Sequence, residues 1–206
     1  NKNNKKLVPE LRFPEFENDG EWEEKELGDE PIAFFVGEKA KIDDLKLDSY
    51  ISTENILQDF LGIIKASKLP NSGSFTKFRV GDILFSNIRP YLKKVWQADQ
   101  EGQASNDVIV IRAGSNILDN FLALVLKDES FINYVMIGAK GVKMPRGDKS
   151  QMKEYKVNFP TKEEQQKIAD FLSSLDELIH AQTEKIAQLK LHKKGLMQQL
   201  FPQSNR

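Results

Sequence analysis

The side chains best suited to binding chemistry lie in one segment, Ser86–Lys94, whose sequence is SNIRPYLKK. Serine, asparagine and arginine form hydrogen bonds with the edges of nucleic-acid bases, and lysine binds phosphate groups. The same residues also suit a plain turn, in which Asn87, Arg89 and Pro90 shape the backbone and Tyr91 packs in the core. From the residues alone, the turn is slightly favoured over a binding loop. The segment Ser105-Asn106-Asp107 likewise allows two interpretations, a turn or a surface contact.

A second candidate for binding is the stretch 139–156, which contains glycines and is rich in basic residues. The basic residues outnumber Asp148 and Glu154, and they are Lys140, Lys143, Arg146, Lys149, Lys153 and Lys156. A basic loop of this kind can follow a phosphate backbone, and it can equally be a solvated surface loop. The charge pattern alone favours neither interpretation.

Catalytic and metal sites are not indicated. The two histidines, His180 and His192, are separated by a dozen positions, and the chain contains no cysteine to join them in a metal site. The sequence also lacks the Gly-x-Gly-x-x-Gly and Gly-x-Ser-x-Gly patterns and the Asn/Asp-Pro-Pro-aromatic pattern of methyltransferases. We therefore expect a binding protein that is not an enzyme and that uses no cofactor and no metal.

Composition limits the protein to a few classes. A chain of 206 residues with 39% hydrophobic content allows one sizeable domain with an extension. No apolar run approaches the length of a membrane span, and no secretory leader is recognised, so the cytoplasm is the expected location. The net charge of -1 combines an acidic stretch over 15–30 with basic residues elsewhere. Near-neutral charge permits a protein partner as well as a nucleic acid.

The elements that must position these residues are read from hydrophobic periodicity. An extended leader with a polar tail over 1–6 precedes the domain. Residues 75–80 and 83–87, joined by Gly81-Asp82, predict a hairpin. A helix is predicted over 117–137, capped by Asn116 or Asp119. The remaining predicted strands are 21–27 with Trp22 as anchor, 32–36, 49–56, 93–97, a buried strand at 108–112, and 155–159. This is an α+β pattern.

The last third of the chain predicts one long helix. Thr161 and Glu164 fit a capping box at its start, and Pro202 stops it. At about 1.5 Å per residue, its length is roughly 60 Å. Its apolar seam, interrupted by Gln182 and Lys193, consists of Ile168, Leu172, Leu175, Ile179, Ile186, Leu189, Leu196 and Leu200. A seam of this length favours pairing with another helix over packing on the chain's own domain.

Four segments in order resemble a target recognition domain of the type I restriction-modification specificity subunit. They are Leu7–Phe16 followed by Glu21–Gly28, Gly81–Ser86 with Arg89-Pro90, Phe159–Ala169 and Lys193–Phe201. The resemblance implies a leader at 1–20, a DNA-recognition domain at 21–160, a conserved spacer helix at 161–201 and a tail at 202–206. In this family the spacer helices pair as an antiparallel coiled coil, and the subunit usually carries two recognition domains. This chain corresponds to one of them, as a half-subunit or a fragment.

The resemblance also implies a function and partners. The chain would read one half-site of double-stranded DNA and scaffold the methyltransferase and restriction subunits, as a homodimer through its helix or as half of a longer subunit. The alternative is an orphan coiled-coil scaffold or regulator that binds protein subunits without reading DNA. The expected DNA contacts are Ser86, Asn87, Arg89, Lys93, Lys94, Lys140, Lys143, Arg146 and Lys149.

Overall fold

A computed structural model describes residues 7–201 and confirms the α+β fold with a long C-terminal helix. The predicted polar tail at 1–6, the stop at Pro202 and the tail at 202–206 lie outside the described residues. The chain forms two compact units, which meet between Gln166 and Lys167. No helix in the described part of the chain is long and apolar enough to span a membrane.

Within residues 7–201, ten strands and four α-helices are present. The strands are β1 (Glu23–Glu26), β2 (Ala33–Phe35), β3 (Lys39–Ala40), β4 (Tyr50–Ile51), β5 (Phe75–Phe78), β6 (Ile83–Ser86), β7 (Val95–Gln97), β8 (Gly102–Ser105), β9 (Val108–Ala113) and β10 (Lys156–Phe159). The helices are α1 (Asp119–Lys127), α2 (Glu129–Ile137), α3 (Lys149–Lys153) and α4 (Lys162–Leu200). The short strands β3 and β8 and the helix α3 are not predicted from the sequence.

The strands form two four-stranded sheets and one two-stranded ribbon. The first sheet is antiparallel, in the order β2-β9-β6-β7, and the second has the order β3-β5-β8-β4 with β4 parallel to β8. The ribbon pairs β1 with β10. Strand β9 is buried from Val108 to Ile111, as its continuous apolar sequence predicts. Phe78 and Trp96, whose rings meet edge to face at 5.9 Å, help to join the two sheets in one core.

The predicted hairpin of residues 75–80 and 83–87 is wrong. Gly81 does form a turn, with φ at 87°, but β5 pairs with β3 and β8, whereas β6 pairs with β9 and β7. The chain therefore changes sheets at this corner. The buried carboxylate of Asp82 fixes the corner, because it accepts the Arg79 N–H at 2.9 Å and binds Arg112 of β9 at 2.7 and 2.8 Å. A local turn signal could not show this distant partner.

The single helix predicted over 117–137 is also wrong, because two helices occupy this range. Asp128 interrupts it with extended backbone (ψ 144°) and caps α2 by accepting the Ser130 N–H at 2.8 Å. The expected caps of α1 are not used. The N-cap of α1 is Leu118. Its backbone N–H donates to Oε1 of Gln165, a residue at the start of α4, at 2.8 Å. A cap supplied from 47 positions away leaves no local signature.

The first turn of α4 is anchored in the first unit by two buried polar residues. The Glu164 N–H donates to the Thr161 hydroxyl at 3.5 Å, as one half of a capping box requires. The Glu164 carboxylate binds Arg12, which donates through Nε at 2.8 Å and Nη2 at 2.6 Å. Gln165, fully buried, donates to the carbonyl oxygens of Pro160 and Asn116 at 2.9 and 3.0 Å. The leader and the helix start are thus joined through side chains.

The second unit is the helix from Lys167 onwards. Its side chains are exposed from Asp170 to Leu200, with Gly195 half-buried. The predicted seam from Leu172 to Leu200 is among them, with Leu175 40% exposed, Leu189 58% and Ile179 63%, whereas its first residue, Ile168, is half-buried. Large apolar side chains at heptad spacing are typical of a surface that packs against another helix.

Candidate nucleic-acid interface

Two segments that are predicted separately from the sequence form one surface. Ile88 and Arg146 make an antiparallel backbone bridge, in which the Arg89 N–H donates to the Pro145 oxygen at 2.8 Å and the Gly147 N–H to the Asn87 oxygen at 3.3 Å. We call residues 87–93 together with 140–147 the paired-loop surface. The two candidate binding segments therefore lie side by side.

The loop at 140–147 closes on itself through backbone atoms. Lys140 and Arg146 exchange N–H to carbonyl bonds, both 2.9 Å long. Gly141 turns the chain with φ at 101°. Val142 and Lys143 are exposed at the tip, and Lys143 has no ion-pair partner among the described residues. The tip of the loop therefore presents the apolar side chains of Val142 and Met144 and the cation of Lys143 to solvent.

The other half of the surface is backbone-strained. Arg89 and Lys93 both have φ at 52°, a left-handed conformation that is costly for residues with a Cβ. They flank the short 3-10 turn Pro90–Leu92. Asn87 Oδ1 and Arg89 Nε are buried without a hydrogen-bond partner in the described structure. Strain and unused hydrogen-bonding capacity together are more typical of a binding site than of a simple turn.

Most cations of the surface already have a partner in the protein. Lys93 pairs with Glu129, Lys140 with Asp148 at 2.8 Å, and Arg146 with Asp107 at 2.7 Å. The hydrogen bond that Lys93 donates to Glu129 raises the pKa of Lys93, and the one that Lys140 donates to Asp148 raises the pKa of Lys140. Because Lys140 and Arg146 are 82% and 53% exposed, these pairs are weak and can be exchanged for phosphate groups.

Three further residues of the predicted set lie in different environments. Ser86 is 1% exposed, and its hydroxyl donates to the Ile88 oxygen at 3.2 Å, so it shapes the loop from inside. Lys94 donates to the Thr53 oxygen at 2.7 Å. The Lys149 residue is exposed, but partial burial of its ammonium group lowers its pKa. Repulsion by the charges of Lys39 and Lys153 lowers this pKa further.

Sequence reasoning missed the residues that organise this surface from elsewhere. Asp107, for which the sequence allows either a turn or a surface contact, forms an ion pair with Arg146. Its backbone oxygen also accepts the Asn87 N–H at 2.8 Å. Glu129, the partner of Lys93, had no local signal. No group of three or more metal-binding side chains is present in the part of the chain that the structure describes.

The structure is thus an α+β domain that carries a surface of paired loops and continues into a long exposed helix. The chain belongs to the family described as type I restriction modification DNA specificity domain, whose model matches residues 20–191.

Related specificity subunits span about twice the length of this chain. The putative type I restriction enzyme MjaX specificity subunit of Methanocaldococcus jannaschii is 28% identical over 88% of this chain and 45% of the relative. The MjaVIII specificity subunit of the same organism is 32% identical over 93% of this chain and 43% of the relative. The HindI specificity subunit of Haemophilus influenzae is 28% identical over 80% of this chain and 37% of the relative. This chain thus corresponds to less than half of each relative.

Solved structures show the same fold. The HsdS subunit from Thermoanaerobacter tengcongensis superimposes with a TM-score of 0.64 at 20% identity, covering 93% of this chain and 54% of that one. A second structure, of a chain from a type I R-M system, was solved to explain complex assembly and conformational transition. It superimposes with a TM-score of 0.67 at 19% identity and covers 90% of this chain and 50% of that one. Both matches extend over nearly the whole of this chain.

Proposed function

We propose that this chain recognises a DNA sequence as one reading unit of a type I restriction-modification specificity subunit. The observation that carries the proposal is the backbone bridge between Ile88 and Arg146. It unites a segment able to contact base edges with a loop able to contact phosphates, which is the division of labour that specific DNA binding requires. Membership of the DNA specificity domain family supports it.

Individual residues receive roles from their surroundings. Asn87 and Arg89 are the proposed base readers, because they are only half-buried, flank the bridge at Ile88 and are of the types that pair with base edges. Lys143 is free for phosphate, and the exposed cations Lys140 and Arg146 exchange their carboxylate partners for phosphate on binding. Lys93, Lys94 and Lys149 lie on the flanks, and Ser86 holds the loop. Val142 offers an apolar contact suited to a thymine methyl group.

The long helix supplies the second part of the proposal. Its exposed seam pairs antiparallel with a second helix of the same kind, from another copy of this chain or from the other half of a longer subunit. A two-fold arrangement presents two reading units to two half-sites, and helix length sets the gap between them. The assembled helices then provide the surface for methyltransferase and restriction subunits, so this chain itself carries no catalysis.

The direct test is selection of bound duplexes from a random pool, repeated with a methyltransferase subunit added. We expect an enriched motif, and with paired chains an inverted repeat with a constant gap. Asn87→Ala should lose the enrichment while keeping non-specific binding. A Lys65→Gln variant, whose ion pair with Asp48 is fully exposed, is the matched surface control. No enrichment under either condition would contradict the proposal.

One observation favours the alternative of a scaffold or regulator that binds protein subunits without reading DNA. Three cations of the paired-loop surface, Lys93, Lys140 and Arg146, are neutralised within the protein, and the net charge of the chain is -1. Stable capture of a methyltransferase subunit by a chain that shows no sequence preference for DNA would support this alternative.

A further inference from the structure

A second cationic feature lies in a cleft of about 270 Å³, lined by residues of both four-stranded sheets and of α3. Its charged lining residues are Lys39, Lys149 and Lys153, and we call it the lysine cleft. Thr76, Ser150 and Asn106 add hydroxyl and amide groups. No carboxylate is found among the described residues that line it. The cleft therefore combines concentrated positive charge with hydrogen-bond donors.

The charge of this cleft is not compensated by the protein. Lys77, on the neighbouring strand, is paired with Glu38 at 2.9 Å, whereas none of the three cleft lysines has a carboxylate partner within residues 7–201. Partial burial of the Lys149 ammonium group lowers its pKa, and repulsion by Lys39 and Lys153 lowers it further. Like charges held together in this way are relieved when an anion binds between them.

One contact orders a side chain of the cleft, and the order of residues along the chain places the cleft next to the paired-loop surface. The Lys153 ammonium lies over the Phe35 ring, 5.4 Å from its centre, and this interaction fixes its position. Asn106 precedes Asp107, the partner of Arg146, and Lys149 follows Asp148, the partner of Lys140. The rim of the lysine cleft and the edge of the surface are therefore formed by the same two chain segments.

We propose that the lysine cleft binds a single phosphate group of the DNA backbone beside the paired-loop surface. This inference rests on the proposed DNA recognition, and it adds Lys39 and Lys153 to the residues that contact the ligand. The three lysines line one small volume, so together they can neutralise the same phosphate. The hydroxyls of Thr76 and Ser150 can donate to its free oxygens.

The test uses the full chain and the triple variant Lys39→Gln, Lys149→Gln, Lys153→Gln. Affinity for a short random-sequence duplex is measured by fluorescence anisotropy from about 0.05 to 0.2 M potassium chloride. One lost phosphate contact should lower the slope of log K against log salt by about 0.9, and the affinity at 0.1 M salt by roughly eightfold. Three independent contacts would lower the slope by about three times as much. Lys77→Gln is the control, because its side chain lies on the opposite face of β5 from Thr76.

A second arm separates the site from the source of the phosphate. Pyrophosphate is titrated into parent and triple variant, and binding is followed by 31P NMR, with circular dichroism confirming that the variant is folded. Loss of pyrophosphate binding with an unchanged DNA slope would assign the cleft to a free phosphate ligand and overturn the backbone contact. Parental behaviour of the triple variant in both arms would overturn the site itself. A parent that binds pyrophosphate through the cleft but binds no DNA would refute the proposed function and the backbone contact together, and would leave the cleft as a site for a free phosphate ligand.

Discussion

Arg12 and Glu164, which are 152 positions apart in the sequence, form a bidentate ion pair whose side chains are 6% and 1% exposed. One partner belongs to the leader before the first strand and the other to the first turn of α4. A planar guanidinium that meets both carboxylate oxygens fixes orientation as well as distance. This pair therefore determines where the leader meets the beginning of the long helix.

We expect Glu164→Gln to destabilise the first unit, because it leaves the Arg12 charge buried without its partner. The melting temperature should fall by several degrees. Glu163→Gln, an exposed neighbour in the same helical turn, should leave it unchanged and is the matched control. Equal melting temperatures for both variants, measured by circular dichroism, would show that the ion pair does not stabilise the fold.

Gly147→Ala should disrupt the paired-loop surface. A Cβ there would lie 2.4 Å from Met152 Cε, 2.8 Å from Val135 Cγ1 and 2.9 Å from Asn87 Oδ1. Overpacking of this kind costs about 1–3 kcal/mol of unfolding free energy and would displace Asn87. Denaturant unfolding and DNA binding should both weaken.

Gly37→Ala is the control for that substitution, because a Cβ at Gly37 meets no atom within 4 Å. It should keep the unfolding free energy of the parent. If the two alanine variants behave alike, close packing at Gly147 is not what holds the loops together.

Arg89→Ala and Arg146→Ala should have different consequences for DNA binding. Arg146 lies 53% exposed on the loop that we assign to phosphates, so its loss should weaken binding to all sequences and lower the salt slope by about 1. Arg89, with Nε unused inside the protein, should cost about 1–3 kcal/mol on the selected sequence only. Anisotropy titrations on selected and scrambled duplexes distinguish the two. Identical profiles would refute the assignment of roles.

Ile179→Asp and Leu189→Asp should abolish pairing of the helices, since each places a charge in the exposed seam. Sedimentation velocity should show the parent as a dimer and both variants as monomers. Leu191→Asp provides the control, because Leu191 is 72% exposed but lies off the seam. A parent that sediments as a monomer would instead require the second helix to come from a longer chain.

Acid should weaken the loop that contains Asp148. Lys140 and the backbone N–H groups of Ser150 and Gln151 lower the pKa of Asp148, so its contribution to stability is present above the unfolded pKa of about 4 and is lost as pH falls through the lower, folded value. Asp148→Asn keeps a capping oxygen but cannot titrate. The melting temperature of this variant should fall less steeply below about pH 4 than that of the parent. Parallel pH profiles would contradict this assignment.

The sequence predicts those features that depend on local pattern. The buried strand at 108–112, the turn at Gly81 and the long helix after Thr161 all follow from periodicity, glycine and capping residues. The features it cannot predict depend on distant partners. Asp82 moves the chain into a second sheet through Arg112, and Gln165 caps α1 from the start of α4.

The candidate surface divides in the same way. The residue types in 86–94 and 139–156 indicate binding, but only the fold shows that these segments touch and that Ser86 is buried. The cations looked free in the sequence because their partners, Asp107 and Glu129, belong to other elements. Lys39 lies far from the basic stretch along the chain, so the lysine cleft has no signature in the sequence.

The closure of the 140–147 loop by main-chain bonds between Lys140 and Arg146 has an evolutionary consequence. Backbone atoms close the loop whatever side chains stand at positions 142–144, and the tip residue Val142 is fully exposed. Substitutions at the tip can therefore accumulate without a penalty to folding. Under the proposed function, exchange of these few residues would change the preferred DNA sequence, and a protein engineer could do the same by grafting tip sequences onto an unchanged frame.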